Sequence, residues 1–343
     1  MNFLPDLRAQ KCQPYPDAAL YAEYAAARLG LEFADLDRGA GLLFSVSGRG
    51  RTAYFGGGRC SVFPQNTSTS ATLAADKYLA NRLLESKGLQ TTGGQYFFLH
   101  DRHRAQRHSG HERADAHSWL DRVGGTGFAK PLTGSRGDFA CGIRGHADLA
   151  AYMRDVSTFY DSIILQKRYS GEEYRLFVLD GKVLYSARKY PPGLTGDGTA
   201  SIRELIDRYT ERLALQGIST AAGLIRTQTD LDPGSIPDRG VTLVLEGRMN
   251  LGAGGTMVFE VPPMADLAYD TAIRAAGTIG LKAAGVDVFA HTEATGTNFT
   301  IIEVNANPSI RLLETGGRAD LIEVIWTSTF RHAGLLDAGF ADV

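Results

Sequence analysis

Apolar residues recur along the chain at two spacings, helical and alternating, and the changes from one to the other predict the elements. AALYAEYAAARLG, from Ala18 to Gly30, consists of good helix formers and ends on a glycine suited to a C-cap. Alternating runs at Leu42–Val46 and Thr52–Phe55 predict strands, so a small α/β lobe is expected, ending in the polar run PQNTSTS. Ser70 is placed to cap a helix through ATLAADKYLANRLLESKG, closed by Gly88, with Leu73, Lys77, Ala80 and Leu84 on one face. Lysine on such a face is unusual.

GFAKPLTGSRGDFACG then predicts a short strand running into a lysine and a glycine-rich turn, followed by a helix at His146–Arg154 and a strand at Ser162–Gln166. In YRLFVLDGKVLYSAR, Asp180-Gly181 between two β-like runs predicts a tight hairpin. A helix near Ser201–Leu215, the glycine-rich VLEGRMNLGAGGT and a long helix over Asp266–Ala284 follow. Two strands, GVDVFAH and FTIIEVNANPSI, are joined by a polar glycine-containing turn, and a C-terminal helix completes the chain. No internal repeat or low-complexity tract is present.

Three oxygen-bearing side chains stand out on those last strands. As a hairpin, the two strands would lie side by side, and the period of two sets Glu303 and Asn305 on one face, next to Asp287 if the register permits. Their apolar flanks make an unpaired acid costly, so convergence on Mg²⁺, a hard cation that keeps waters and grips phosphates, outweighs a reading as exposed polar positions. Lys130 stands at the end of its strand before the glycine turn, where backbone N–H groups and an ammonium can meet an anion. Lys77 is a second cationic candidate, against the alternative of a snorkelling helix lysine. Gln166, Lys167 and Glu173 at a strand end suit an adenine edge and ribose hydroxyls, or an ordinary edge strand.

Neither a GxxxxGK[ST] run nor a strand-borne GxGxxG is present, which removes Walker-type and Rossmann nucleotide sites. The chain has 343 residues, enough for two or three domains at about 150 each. With 43% hydrophobic and 22% charged residues it reads as an ordinary globular protein. A net charge of −2 gives no basic footprint for nucleic acid or membrane surfaces. Cys12, Cys60 and Cys141, odd in number and widely spaced, fit reduced thiols, and the charged, proline-containing start does not read as a signal peptide, so a cytoplasmic location is expected. Residues 100–117 hold five of the eight histidines, at irregular spacings among arginines, which favours a solvated loop leading into the helix ERADAHSWLDRVG over a metal site.

In order along the chain, ADKYLANRLLESKGL, FAKPLTGSRG, ILQKRYSGEEYRLFVLDGKVLYSARKYPP, GDGTASIREL, MNLGAGGT and IIEVNANPSIR resemble the motifs of the ATP-grasp superfamily of carboxylate–amine ligases. The pattern runs from about Ser70 to Leu313 and is most like the ATP-grasp half of cyanophycin synthetase and the glutathione synthetase half of the bifunctional enzyme. The resemblance implies an α/β (α+β) fold: a small N-terminal lobe over residues 1–70, a central lobe with a glycine-rich lid over 71–165, and a lobe with the metal site over 166–343. It implies ATP with Mg²⁺, two ions with Mn²⁺ as a substitute, and formation of an amide bond through an acyl-phosphate with release of ADP and phosphate. Lys77 and Lys130 would hold phosphates under a lid of Gly134, Ser135, Arg136 and Gly137. Gln166, Lys167 and Tyr169 would line the adenine pocket, Glu173 would take the ribose, and Asp287, Glu303 and Asn305 the metal.

The same resemblance gives Arg248, Lys130 and Arg188 catalytic roles and sets Arg175, Asn250, Gly254, Gly255 and Arg311 against substrate. Gln166 replaces a common glutamate, Gly252 replaces a serine, and MVFEVPP replaces an acidic run. The implied partners are amino acids or small peptides, with no nucleic acid or membrane and with a homo-oligomer left open. A phosphotransferase on a small molecule, or a ligase acting on a protein or peptide tail, is the alternative.

Overall fold

The computed structural model describes residues 3–57, 61–134, 137–215, 218, 225–229, 231–246, 254–293 and 296–337. The chain opens with helices α1 (Leu4–Ala9) and α2 (Asp17–Arg28) and an antiparallel meander of β1 (Glu32–Asp35), β2 (Leu43–Gly48) and β3 (Arg51–Gly56). One helix was expected from Ser70 onward, but two form, α3 (Ser68–Ala75) and α4 (Lys77–Glu85). Asp76 interrupts them with φ −88° and ψ 106°, and its carboxylate accepts from the backbone N–H groups of Tyr78 and Leu79. Thr67, rather than Ser70, caps α3. An aspartate inside a run of good helix formers can thus serve as an N-cap and start a new axis.

The central sheet has the order β4-β7-β5-β6, all antiparallel, built from β4 (Gln95–Phe98), β5 (Thr126–Pro131), β6 (Cys141–Arg144) and β7 (Ser162–Gln166). Helices α5 (Arg113–Arg122) and α6 (Gly145–Val156) cover it. The histidine-containing stretch is mostly loop, with a 3-10 turn at Arg104–Gln106, and His111 stacks on Tyr96 at 3.9 Å between ring centroids.

Strands β8 (Glu172–Leu179) and β9 (Lys182–Tyr190) form the expected hairpin, with positive φ at both Asp180 and Gly181. A small insertion follows, in which β10 (Gly193–Thr195) pairs with β11 (Thr242–Val244) beside α7 (Ile202–Leu215). The chain then gives β12 (Thr256–Phe259), α8 (Ala265–Ile279), β13 (Ala283–Glu293), β14 (Gly296–Asn305), α9 (Arg311–Thr315) and α10 (Ala319–His332). Helix α8 stops short of the expected Ala284 because Gly280, at φ +85°, turns the chain out of the helix.

The five-stranded sheet β12-β9-β8-β13-β14 has two different faces. On one, Leu176, Val178, Val286, Val288 and Ile301 pack on the alanine stripe of α8 and on Ala80 and Leu84 of α4. Helices α3 and α4, grouped by sequence with the central lobe, therefore share their core with this sheet. On the other face Phe177, Leu179, Tyr185 and Ala283 join one core with α2, α10 and the N-terminal meander. Trp326 of α10 lies 5.9 Å from Phe55 and 6.4 Å from Phe44, so the two ends of the chain are packed into each other. Each such buried ring contributes roughly 1.5–3 kcal/mol.

Candidate active site

Along the second face the five-stranded sheet changes from apolar to charged. Glu173 and Arg175 on β8, Lys189 on β9, Asp287 on β13 and Glu303 on β14 extend the rows that begin with Phe177, Tyr185 and Ala283. Two bulges select these residues. Val288 faces Ile301, but Asp287 faces Glu303, so Ile302 is an extra residue, and it is what turns Glu303 onto the face of Asp287. On β9 the register shifts between the Val178–Val183 and Phe177–Tyr185 pairs, leaving Leu184 unmatched and setting Lys189 opposite Glu173. Unbroken pairing from the hairpin turn would have put Arg188 there.

Arg175 grips both oxygens of Asp287, donating from Nε to Oδ1 and from a terminal nitrogen to Oδ2, each at 2.7 Å. Lys189 Nζ donates to Oδ2 of Asp287 at 2.6 Å and also pairs with Glu173. Asp287 is 0% exposed, and its charge is tolerated because two cations answer it. Asn305 Nδ2 donates to Glu303 Oε1 at 3.1 Å, which leaves the amide oxygen free of that contact.

From the central sheet Lys130, buried on β5, brings a further ammonium toward this face, where the charges of Glu303, Glu173 and Asp287 act on it. Burial lowers its pKa despite these acids. Among the described residues its ammonium has no hydrogen-bond partner. Lys77 is lowered to about 8, by burial first and then by Lys130, against the pull of Glu303. Its Nζ donates to the carbonyls of Gly134 at 2.7 Å and Leu132 at 3.3 Å, so the lysine holds the start of the glycine turn. For Glu303, burial pushes the carboxyl up, but Lys130, Lys77, Lys189 and the Asn305 amide outweigh it and hold the group well below the usual carboxylate range. Burial raises Glu173, with Asp287 and Glu303 adding to the effect and Lys189 opposing it.

Beside the charges lies an aromatic group. Tyr169, just past β7, and Phe289, two residues after Asp287 on β13, are nearly parallel at 17° with ring centroids 6.4 Å apart, and His291 lies against both. Gln166 is buried, its amide nitrogen donating to the Thr92 hydroxyl at 2.6 Å and the Gly93 carbonyl at 2.8 Å. Lys167 is exposed.

The structure thus brings together Lys77, Lys130, Gly134, Glu173, Asp287, Glu303 and Asn305, with Arg175 among them. Arg175 is spent on Asp287, which corrects the expectation that it clamps substrate. Arg188 lies on the opposite face of β9 from Lys189, paired with Glu172 at 2.6 Å and Glu260 at 3.2 Å, which corrects its catalytic reading. Arg311 binds Asp17 of α2 at 2.6 Å, within a network of Arg8, Tyr21 and Glu314 that ties α9 to the N-terminal lobe, so it too serves the chain's own carboxylates. Gly254, at φ +84°, packs against Arg212 and Tyr209, and Gly255 leads into β12. Gly137 has φ +73°, while Ser135, Arg136, Arg248 and Asn250 lie outside the described residues. Lys189 and Phe289 escaped sequence reasoning. Phe289 could have been found from the period of two counted from Asp287, but Lys189 was hidden by the bulge.

Among the described residues no three or more His, Cys, Asp or Glu side chains form a metal-binding group. Two carboxylates and an amide oxygen on adjoining strands nevertheless fit Mg²⁺, which takes one or two protein carboxylates and fills its other positions with water and phosphate.

The cyanophycin synthetase of Trichormus variabilis is 28% identical over 256 residues, covering 70% of this chain and 27% of its own length. The glutathione biosynthesis bifunctional protein of Listeria welshimeri is 30% identical over 170 residues, covering 46% of this chain and 22% of its own. The chain is a homologue of both. These are the two relatives to which the motifs pointed. No family model matches the chain. The solved bifunctional glutathione synthetase of Pasteurella multocida aligns over 87% of this chain and 41% of its own, with 17% identity and a TM-score of 0.47. The chain spans about a quarter of the length of the curated relatives it matches. No helix among the described residues is long and apolar enough to cross a membrane.

Proposed function

We propose that the chain is an ATP-dependent ligase of the ATP-grasp type that joins the carboxylate of an amino acid or small peptide to an amine, releasing ADP and phosphate. The observation that carries this reading is the meeting of Lys77, Lys130 and Lys189 with Asp287 and Glu303 where two sheets face each other, beside a parallel aromatic pair. Homology to two amide-forming synthetases supports it.

A carboxylate resists nucleophiles because it is negative, and transfer of a phosphoryl group onto it supplies a leaving group. The protein needs no covalent nucleophile for this. Its work is to neutralise charge and to hold acid and amine in line. Lys130 and Lys77 offer ammonium groups to phosphate oxygens, and a planar base would stack against Tyr169 and Phe289, with Glu173 near the ribose. Asp287, Glu303 and Asn305 would hold magnesium, which supplies charge neutralisation on the phosphates when bound. The net charge of −2 suits small substrates rather than nucleic acid or membrane surfaces, in a cytoplasmic setting.

The test is a matrix of amino-acid and dipeptide pairs with Mg-ATP, scored for released phosphate and followed by mass spectrometry of the product. Phosphate retained on the product would indicate a phosphotransferase, and no ADP from any pair would remove the reading.

A further inference from the structure

We infer that Arg175 is the positioning residue of the metal site, holding Asp287 so that one lone pair of Oδ1 stays open to a divalent cation while Lys189 closes Oδ2. The inference rests on the proposed metal role of Asp287 and goes beyond it, because it assigns to Arg175 the work of orienting that ligand. A carboxylate offers about four lone-pair positions. Among the described residues, Oδ2 accepts from Arg175 and from Lys189, whereas Oδ1 accepts from Arg175 Nε alone. Both positions on Oδ2 are taken, and one on Oδ1 is left.

The guanidinium is built into its place. It projects from β8, the strand next to β13, and its residue pairs directly with Asp287 in the ladder. Gly285, two residues before Asp287, lies under it: a Cβ there would touch Arg175 Nε at an ordinary 3.7 Å but press on the Pro308 ring at 2.8 Å, so the glycine makes room for the proline that flanks the fork. A planar fork fixes the plane of the carboxylate as well as its charge, which a lysine cannot do. Glu303 sits on the far side of Asp287 from Arg175, on β14, so the open position of Oδ1 and the second carboxylate belong to one site.

The experiment is Mn²⁺ binding followed by electron paramagnetic resonance, with a non-hydrolysable ATP analogue present and with no turnover required. Relative to wild type, Arg175→Met should weaken Mn²⁺ about 10–100-fold, the usual effect of losing a group that orients a metal ligand. Binding of the analogue in EDTA should not change. In an Asp287→Asn background, Arg175→Met should cost no further Mn²⁺ affinity, since the arginine acts through that carboxylate. Where Arg175→Met melts before measurement, Arg175→Lys keeps the charge, loses the fork, and should still weaken Mn²⁺. Undiminished Mn²⁺ affinity in the single variant, or an equal loss in the Asp287→Asn background, overturns the inference while leaving the ligase reading intact. Failure of wild type to bind Mn²⁺ with the analogue overturns both.

Discussion

Glu303 stands directly opposite Asp287 because β14 carries one extra residue, Ile302, between the paired positions. Inserting one alanine after Ile302, with the bulge kept, would set that alanine opposite Asp287 and turn Glu303 toward Val286 and the alanine face of α8. An acid without partners in that core is expected to cost about 3–5 kcal/mol. The insertion should lower the melting temperature by several degrees and abolish ATP turnover; a variant with wild-type melting and rate would contradict the register argument.

Lys189 and Arg188 are neighbours with opposite expectations. Lys189→Met removes a cation shared by Glu173 and Asp287, and should destabilise by about 3–5 kcal/mol while cutting turnover at least tenfold. Arg188→Ala removes the Glu172 and Glu260 pairs and the guanidinium over the Tyr190 ring, all on the other face, and should shift stability by no more than about 1 kcal/mol with turnover retained. Denaturant melts and steady-state rates on the two variants decide the matter.

Lys77 makes stability depend on pH in the alkaline range. Its folded pKa of about 8 lies below the ordinary lysine value, so the unfolded chain binds more protons above pH 8 and stability contributed at this site rises from there toward pH ~10.4. Below about 8 the penalty of burying the charge is fully present. Lys77→Met should therefore gain most over wild type near neutral pH, on the order of 1–3 kcal/mol, and the gap should narrow as pH rises. Urea melts across pH 7 to 10 measure it, and a gap that widens with pH would refute the sign.

Glu303 acts in the opposite direction at the acidic end. Its folded pKa is depressed, so its contribution is complete above the unfolded value near ~4.3 and is lost as pH falls toward the folded value. Glu303→Gln should flatten the acid limb of the stability profile and abolish metal-dependent turnover. Acid titration of the melting temperature in both proteins provides the check.

Phe289→Ala should weaken ATP through loss of base stacking, worth about 1–3 kcal/mol, without weakening inorganic tripolyphosphate. Calorimetry with both ligands separates the two effects. Equal losses for both would mean that the ring supports the strand and does not meet the base.

Much of the architecture could be read along the chain because it depends on neighbours in sequence. The Asp180-Gly181 turn, strand β7, helices α2 and α6, and the pairing of the Asp287 strand with the Glu303 strand follow from side-chain period and turn chemistry. Asp287, Glu303 and Asn305 were legible as neighbours from strand period and apolar flanks, whereas their grouping with Lys77 and Lys130 came from the resemblance to ATP-grasp motifs. Arg175 and Arg311 were expected against substrate, but the carboxylates they meet, Asp287 and Asp17, come from distant segments.

What the sequence determined by itself was therefore the set of elements and the types of charge they carry. Tertiary structure decided which charge meets which. One unmatched residue at Leu184 exchanges Arg188 for Lys189, and another at Ile302 turns Glu303 toward Asp287. A one-residue slip reverses the face of every later side chain in a strand, and whether a slip occurs depends on packing against both faces of the sheet, which no local pattern records.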